Sequence, residues 1–165
     1  MPCSTFTEDF ALGKSVSVPL ALAALSGGQV FCLYPNNFPI GSLMEKWKEI
    51  WKDVTISRQI INDHDRPAQT PRFNIVCVTH SEFILDRTNA LKMLRESRFL
   101  IMDDAHAQPE DQEILCTWIQ RNCPQQKKKF GVILLTSFPR SGAFRRCVFA
   151  EEPSTKARLC IPPQQ

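Results

Sequence analysis

The stretch RFLIMDDAH, residues 98–106, decides how the rest of the chain is read. Phe99, Leu100, Ile101 and Met102 form an apolar run too short for a helix and suited to a strand covered on both faces. Two carboxylates, Asp103 and Asp104, follow at once. In open α/β sheets ligands gather beyond the carboxyl ends of strands. Paired acids at such an exit are therefore candidates for holding a cation beside a phosphate.

Working outward, similar apolar runs recur. QVFCLYP (29–35), FNIVCVTH (73–80) and FGVILLTS (130–137) read as buried strands, and VTIS (54–57) as a short one. Between them lie helical patterns. Residues 15–24 are alanine-rich, with Pro19 near the start and Gly27-Gly28 as a stop. Residues 40–53 place Leu43, Trp47 and Trp51 at helical spacing, with Ser42 as a cap. Residues 81–98 read as one helix capped by Ser81, and residues 110–121 as another on Ile114, Leu115, Trp118 and Ile119. Residues 62–72 are polar and turn-rich. Toward the end, residues 145–153 suggest one more strand and residues 160–165 a frayed end. Strands apolar throughout, alternating with helices, predict an α/β fold with a mostly parallel sheet covered by helices on both faces. We expect a single lobe over residues 1–150 and a tail or linker over residues 151–165.

The bulk composition agrees with this reading. The chain has 165 residues, 43% apolar and 22% charged, which suits one globular domain. No apolar run approaches the roughly 18 residues of a membrane span, and residues 1–7 carry no secretory pattern. A net charge of +3 permits a nucleic-acid partner without requiring one. The seven cysteines form no CxxC pair, and several, such as Cys32, Cys77 and Cys160, lie in apolar surroundings. Reduced, buried thiols and a cytoplasmic location are the simplest expectation. His64 and His80 lack the companions of a metal site.

A triphosphate site in such a sheet needs a phosphate-wrapping loop carrying a lysine and a hydroxyl, and a carboxylate on a neighbouring strand for magnesium. Gly13-Lys14-Ser15 opens a helix, and Asp103 supplies the carboxylate. Lys14 and Ser15 also suit a plain helix start, with Ser15 as its cap. The glycine expected five positions before Gly13 is Glu8, and the strand feeding the loop has only residues 3–6 to come from.

With these motifs in order, the chain resembles the first RecA-like lobe of a superfamily 2 helicase of the DEAD/DEAH type, including the virus-encoded branch. Gly13-Lys14-Ser15 matches the end of the phosphate loop, and CLYPNN (32–37) the segment where Pro35 and Asn36 would meet the nucleic-acid backbone. VCVTHSEFILD (76–86) resembles the segment whose threonine, here Thr79, also meets the strand. MDDAH (102–106) matches the Asp-Glu-Ala-His box, and LLTSFP (134–139) the linking motif, carried by Thr136 and Ser137.

The resemblance implies roles. Lys14 would neutralise phosphates of ATP or another NTP, and Ser15 and Asp103 would hold Mg²⁺. Asp104 stands where the family has the glutamate that activates the attacking water, one methylene short. His106 would couple the nucleotide site to Thr136 and Ser137. Single-stranded RNA or DNA would be the track, and a second RecA-like lobe of the same or a larger polypeptide the catalytic partner. Arg72, Arg87, Arg140, Arg145 and Arg146 are further candidates for backbone contacts. Trp47, Trp51 and Trp118 read as core. The alternatives are a non-enzymatic RecA-like module that binds nucleic acid or protein, favoured by Glu8 and Asp104, and an unrelated P-loop kinase or small ATPase.

Overall fold

The computed structural model describes residues 3–7, 13–58, 72–104, 107, 109–122, 131–136 and 158–160. In chain order these form β1 (Cys3–Thr7), α1 (Lys14–Ser26), β2 (Val30–Tyr34), α2 (Ile40–Ile50), β3 (Ile56–Ser57), β4 (Ile75–Thr79) and α3 (His80–Leu85). They continue with α4 (Arg87–Glu96), β5 (Phe99–Met102), α5 (Pro109–Asn122), β6 (Gly131–Thr136) and β7 (Arg158–Cys160). The sheet order is β3-β4-β2-β5-β6-β1-β7, and every pairing is parallel. All strand exits therefore lie along one edge.

The apolar runs become strands because both faces of the sheet are covered. Phe31, Leu33, Val76, Val78, Leu100, Met102, Val132 and Leu134 share one core with Phe83, Ala90, Leu94, Leu115 and Ile119 from α3, α4 and α5. The alternate positions Val30, Cys32, Tyr34, Ile75, Cys77, Ile101, Ile133 and Leu135 face Leu20, Ala23, Leu43 and Trp47 from α1 and α2. The period of two along each strand thus feeds two cores at once. Trp47 is fully buried and its indole N–H donates to the Val16 carbonyl at 2.9 Å, fastening α2 to α1. Trp51 and Trp118 pack at the margins of the cores, and the Arg87 guanidinium lies 5.1 Å over the Trp118 ring.

Cys32 and Cys77 sit opposite each other on β2 and β4, buried and unbridged. Burial pushes both thiols up, Cys77 to about 12, which keeps them protonated and inert.

Three local expectations are corrected. Residues 81–98 do not form one helix. Asp86 adopts a non-helical conformation between α3 and α4, and its carboxylate accepts from the Asn89 backbone N–H and side-chain amide. A short acid that can bond the backbone two or three residues on competes with continuous helix. The cap of α3 is Thr79, two residues before Ser81, because Glu82 at the third helical position completes a capping box. Ser42 lies inside α2, whose cap position is Pro39. The strand reading of residues 145–153 lies outside the described residues, whereas Arg158–Cys160 pairs with Thr5, Phe6 and Thr7 of β1.

Candidate nucleotide and nucleic-acid site

Along the carboxyl edge the exits follow the strand order. β5, β6 and β1 are neighbours, so the exits of β5 and β1 flank the end of β6. The edge therefore gathers Asp103, Thr136 and Gly13-Lys14-Ser15 in one region, from segments up to 123 residues apart in the chain (136 minus 13).

Gly13 takes φ +73°, the left-handed conformation that glycine adopts at no steric cost, and turns the chain into α1. Its carbonyl accepts from the N–H groups of Val16 at 3.0 Å and Ser17 at 2.9 Å. Among the described residues no side chain caps this end, and no acid lies in the first turn. The positive end of the α1 dipole is thus offered to an anion. Pro19 cannot donate to the Ser15 carbonyl, so the first turn gives up one helical bond.

Lys14 is buried at 8% exposure and Asp103 at 6%. The Asp103 N–H continues the ladder by donating to the Leu33 carbonyl at 3.0 Å, which fixes the carboxylate just past the end of β5. Burial raises the Asp103 carboxyl above the ordinary aspartate range; the Ser15 hydroxyl donates to it and opposes that rise, Asp104 adds to it, and the Asp104 N–H and Lys14 charge oppose it. The Asp104 N–H lies 2.8 Å from Asp103 Oδ1. Lysine, hydroxyl and carboxylate therefore converge, and the carboxylate remains under-compensated. The buried Tyr34 hydroxyl also lies within the electrostatic reach of Asp103 and finds no oxygen or nitrogen hydrogen-bond partner among the described residues.

These residues suit magnesium. The ion takes oxygen ligands, usually keeps several waters, and is held by one or two carboxylates with substrate phosphates. Asp103 and Ser15 would supply such a set, and a buried, poorly neutralised carboxylate would gain from a divalent cation. Among the described residues no three His, Cys, Asp or Glu side chains cluster as a self-sufficient metal cage.

Asp104 is exposed and has φ +47°, the sole non-glycine residue with positive φ among those described. Aspartate tolerates this region better than most residues, at a cost that marks the turn as imposed. Thr136 ends β6 opposite Thr7. His106, Ser137, Glu8 and the first part of the phosphate loop lie outside the described residues.

The other half of the edge holds the candidate nucleic-acid residues. Pro35 is buried, whereas Asn36 is exposed and its side-chain oxygen accepts from Phe38 N–H at 3.0 Å. Phe38 stands 94% exposed on this turn. Thr79 is buried, its hydroxyl accepting from Glu82 N–H at 3.2 Å and contacting Ser81 Oγ at 3.2 Å. Asn36 is thus the predicted contact whose side chain reaches solvent. Arg72 sits at the opposite, amino-terminal edge, ahead of β4.

Sequence reading missed the link that braces this half. Arg58, just after β3, places Nη1 2.9 and 2.8 Å from the two Glu82 oxygens and bonds Asn37 through Nη2. Glu82 also accepts from the Thr79 N–H at 2.8 Å. Burial alone would raise the Glu82 carboxyl, but Arg58 and Thr79 hold it lowered. A carboxyl lowered by folding contributes stability that is present above its unfolded pKa and lost as pH falls through the folded one. The pair is about a third exposed, so solvent screens it. Glu82→Gln is expected to cost about 1 kcal/mol at neutral pH, with the gap closing in acid; urea unfolding at several pH values checks this. The only sequence signal was the Thr-x-x-Glu spacing of residues 79–82.

The parallel sheet with helices on both faces is consistent with the fold of a RecA-like lobe. The particular likeness is to a Sulfolobus solfataricus SWI2/SNF2 ATPase core solved in complex with double-stranded DNA, at TM-score 0.58 and 15% identity. The match covers 88% of this chain and 30% of that one, so the chain spans under a third of the length of that protein. No family profile matches the chain, and no curated protein matches it. Among the described residues no helix is long and apolar enough to cross a membrane.

Proposed function

We propose that the chain is the NTP-binding lobe of a nucleic-acid-dependent helicase of superfamily 2, of DEAD/DEAH type, which hydrolyses ATP when joined to a second RecA-like lobe. The observation that carries this reading is the buried Asp103 carboxylate lying within electrostatic reach of the Ser15 hydroxyl and the Lys14 charge at the start of α1. In this role Lys14 and the α1 amino end offset phosphate charge, and Ser15 and Asp103 hold the metal. Magnesium, when bound, supplies the charge that neutralises the phosphate oxygens. Asp104 accepts the proton of the water that attacks the terminal phosphorus. Arginines of the second lobe would complete the charge stabilisation. Asn36 and the turn it shapes would meet the nucleic-acid backbone, a partner class supported by the DNA-bound state of the similar SWI2/SNF2 core.

A second reading, a binding module without catalysis, is favoured by Asp104, whose side chain is one methylene short on a left-handed turn. Affinity for single-stranded RNA, single-stranded DNA and duplex DNA, each measured with a non-hydrolysable ATP analogue, with ADP and without nucleotide, separates the two. The helicase reading expects affinity to change at least about threefold between nucleotide states, a shift of about 0.7 kcal/mol. Binding that ignores nucleotide would support the module instead.

A further inference from the structure

The amino-terminal edge of the sheet carries a concavity of about 510 Å³, roughly one strand length or about 15 Å from the carboxyl edge. Its walls come from three strand entries: Gly28 and Gln29 before β2, Arg72 and Phe73 before β4, and Arg98 before β5, with Glu96 at the end of α4. The volume lies within the range of small-molecule sites.

The floor is fixed by Gln29, buried at 7% exposure. Its amide nitrogen donates to the Met93 carbonyl at 3.0 Å and to Ser97 Oγ at 2.8 Å, and its oxygen accepts from Phe73 N–H at 3.3 Å. Its carbonyl accepts from Arg98 N–H at 2.8 Å. One side chain thus ties the three entries together, so the cleft is formed before any ligand arrives.

Arg72 and Arg98 bring two guanidiniums to this cleft against the single carboxylate of Glu96. Neither guanidinium is hydrogen-bonded or ion-paired among the described residues. The Arg98 side chain lies over Gly28 so closely that a Cβ there would sit 2.7 Å from its Cδ. Glycine at 28 is what allows the arginine to lie in the cleft. Paired guanidiniums with unused N–H donors match the oxygens of a phosphoryl group.

We propose that this cleft is an anion site for a phosphoryl group, either free phosphate or the phosphate ester of a small molecule. It stands independently of the nucleotide site at the other edge. Titration calorimetry of the full chain without magnesium, using inorganic phosphate and glucose 6-phosphate as the two probes, tests it. Binding of at least one probe is expected, weakened about tenfold or more when Arg72→Gln and Arg98→Gln are combined. Tighter binding of the sugar phosphate would assign an ester, and tighter binding of phosphate the free ion. Gly28→Ala, which displaces the Arg98 side chain while leaving every charge in place, is expected to weaken binding severalfold. Should the double variant fail to fold by circular dichroism, Gly28→Ala and Arg72→Gln alone carry the test. No binding of either probe at about 10 mM, or binding that these substitutions leave unchanged, would overturn the proposal.

Discussion

Asp103→Asn is expected to lower magnesium-dependent ATP hydrolysis, measured with this lobe joined to its second one, by at least about a hundredfold while making the fold more stable. Both effects come from one carboxylate. Asp103 is buried beyond β5, and burial raises its carboxyl above the ordinary aspartate range. The folded state then holds the proton more tightly than the unfolded chain does. That contribution to stability is full below the unfolded pKa and is lost as pH rises through the folded one. At neutral pH the charged form is a cost, and a neutral amide removes it. The gain is expected near 1 kcal/mol, a Tm rise of about 2–4 °C for a chain of this size. The gap between Asp103→Asn and the parent chain should widen from acid to neutral pH. Calorimetric melting across that range, beside a single-turnover hydrolysis assay, checks both halves. A variant that is less stable at neutral pH would show the carboxylate to be a structural acceptor for Ser15 and the Asp104 N–H.

Asp104→Glu is expected to move rate and stability the other way. The resembling family has glutamate at this position, and in the proposed role aspartate would reach about one methylene less far toward the attacking water. A misplacement of about 1 Å costs on the order of a hundredfold in rate, so restoring the methylene should raise turnover by about tenfold to a hundredfold. Asp104 also occupies φ +47°. Aspartate tolerates that region better than glutamate does, so the gain in rate should come with a loss of about 1 kcal/mol. Hydrolysis that stays the same or falls in Asp104→Glu would contradict the role given to this side chain and favour the binding module.

The central strands β2, β4, β5 and β6 and their alternation with helices were legible because both sheet faces are covered, so each is written as a nearly unbroken apolar run. The edge strand β7, with the sequence RLC, carries no such run and was not read. The placement of the candidate residues at the carboxyl edge was legible because they adjoin those runs: Asp103 follows Met102 directly, and Gly13-Lys14-Ser15 opens the first helix. The interruption at Asp86 was not legible, because Ile84, Thr88, Leu91 and Leu94 keep helical spacing across it and only the local Asp86–Asn89 bonds break the helix. The Arg58–Glu82 brace joins residues 24 apart in the chain, which no local pattern encodes. The arginine cleft is hidden for the same reason. Arg72 and Arg98 meet only because β4 and β5 flank β2. Sequence reading set Arg72 beside nucleic acid, and the parallel sheet carries it to the other end.

The most direct test of the central claim is titration of the chain with ATP and Mg²⁺, run beside Lys14→Ala. Lys14 is buried beside Asp103 at the uncapped start of α1. If these groups form a nucleotide site, the parent chain binds ATP in a magnesium-dependent way and Lys14→Ala weakens that binding about tenfold or more. Equal affinity in the two chains, or binding indifferent to magnesium, would contradict the account.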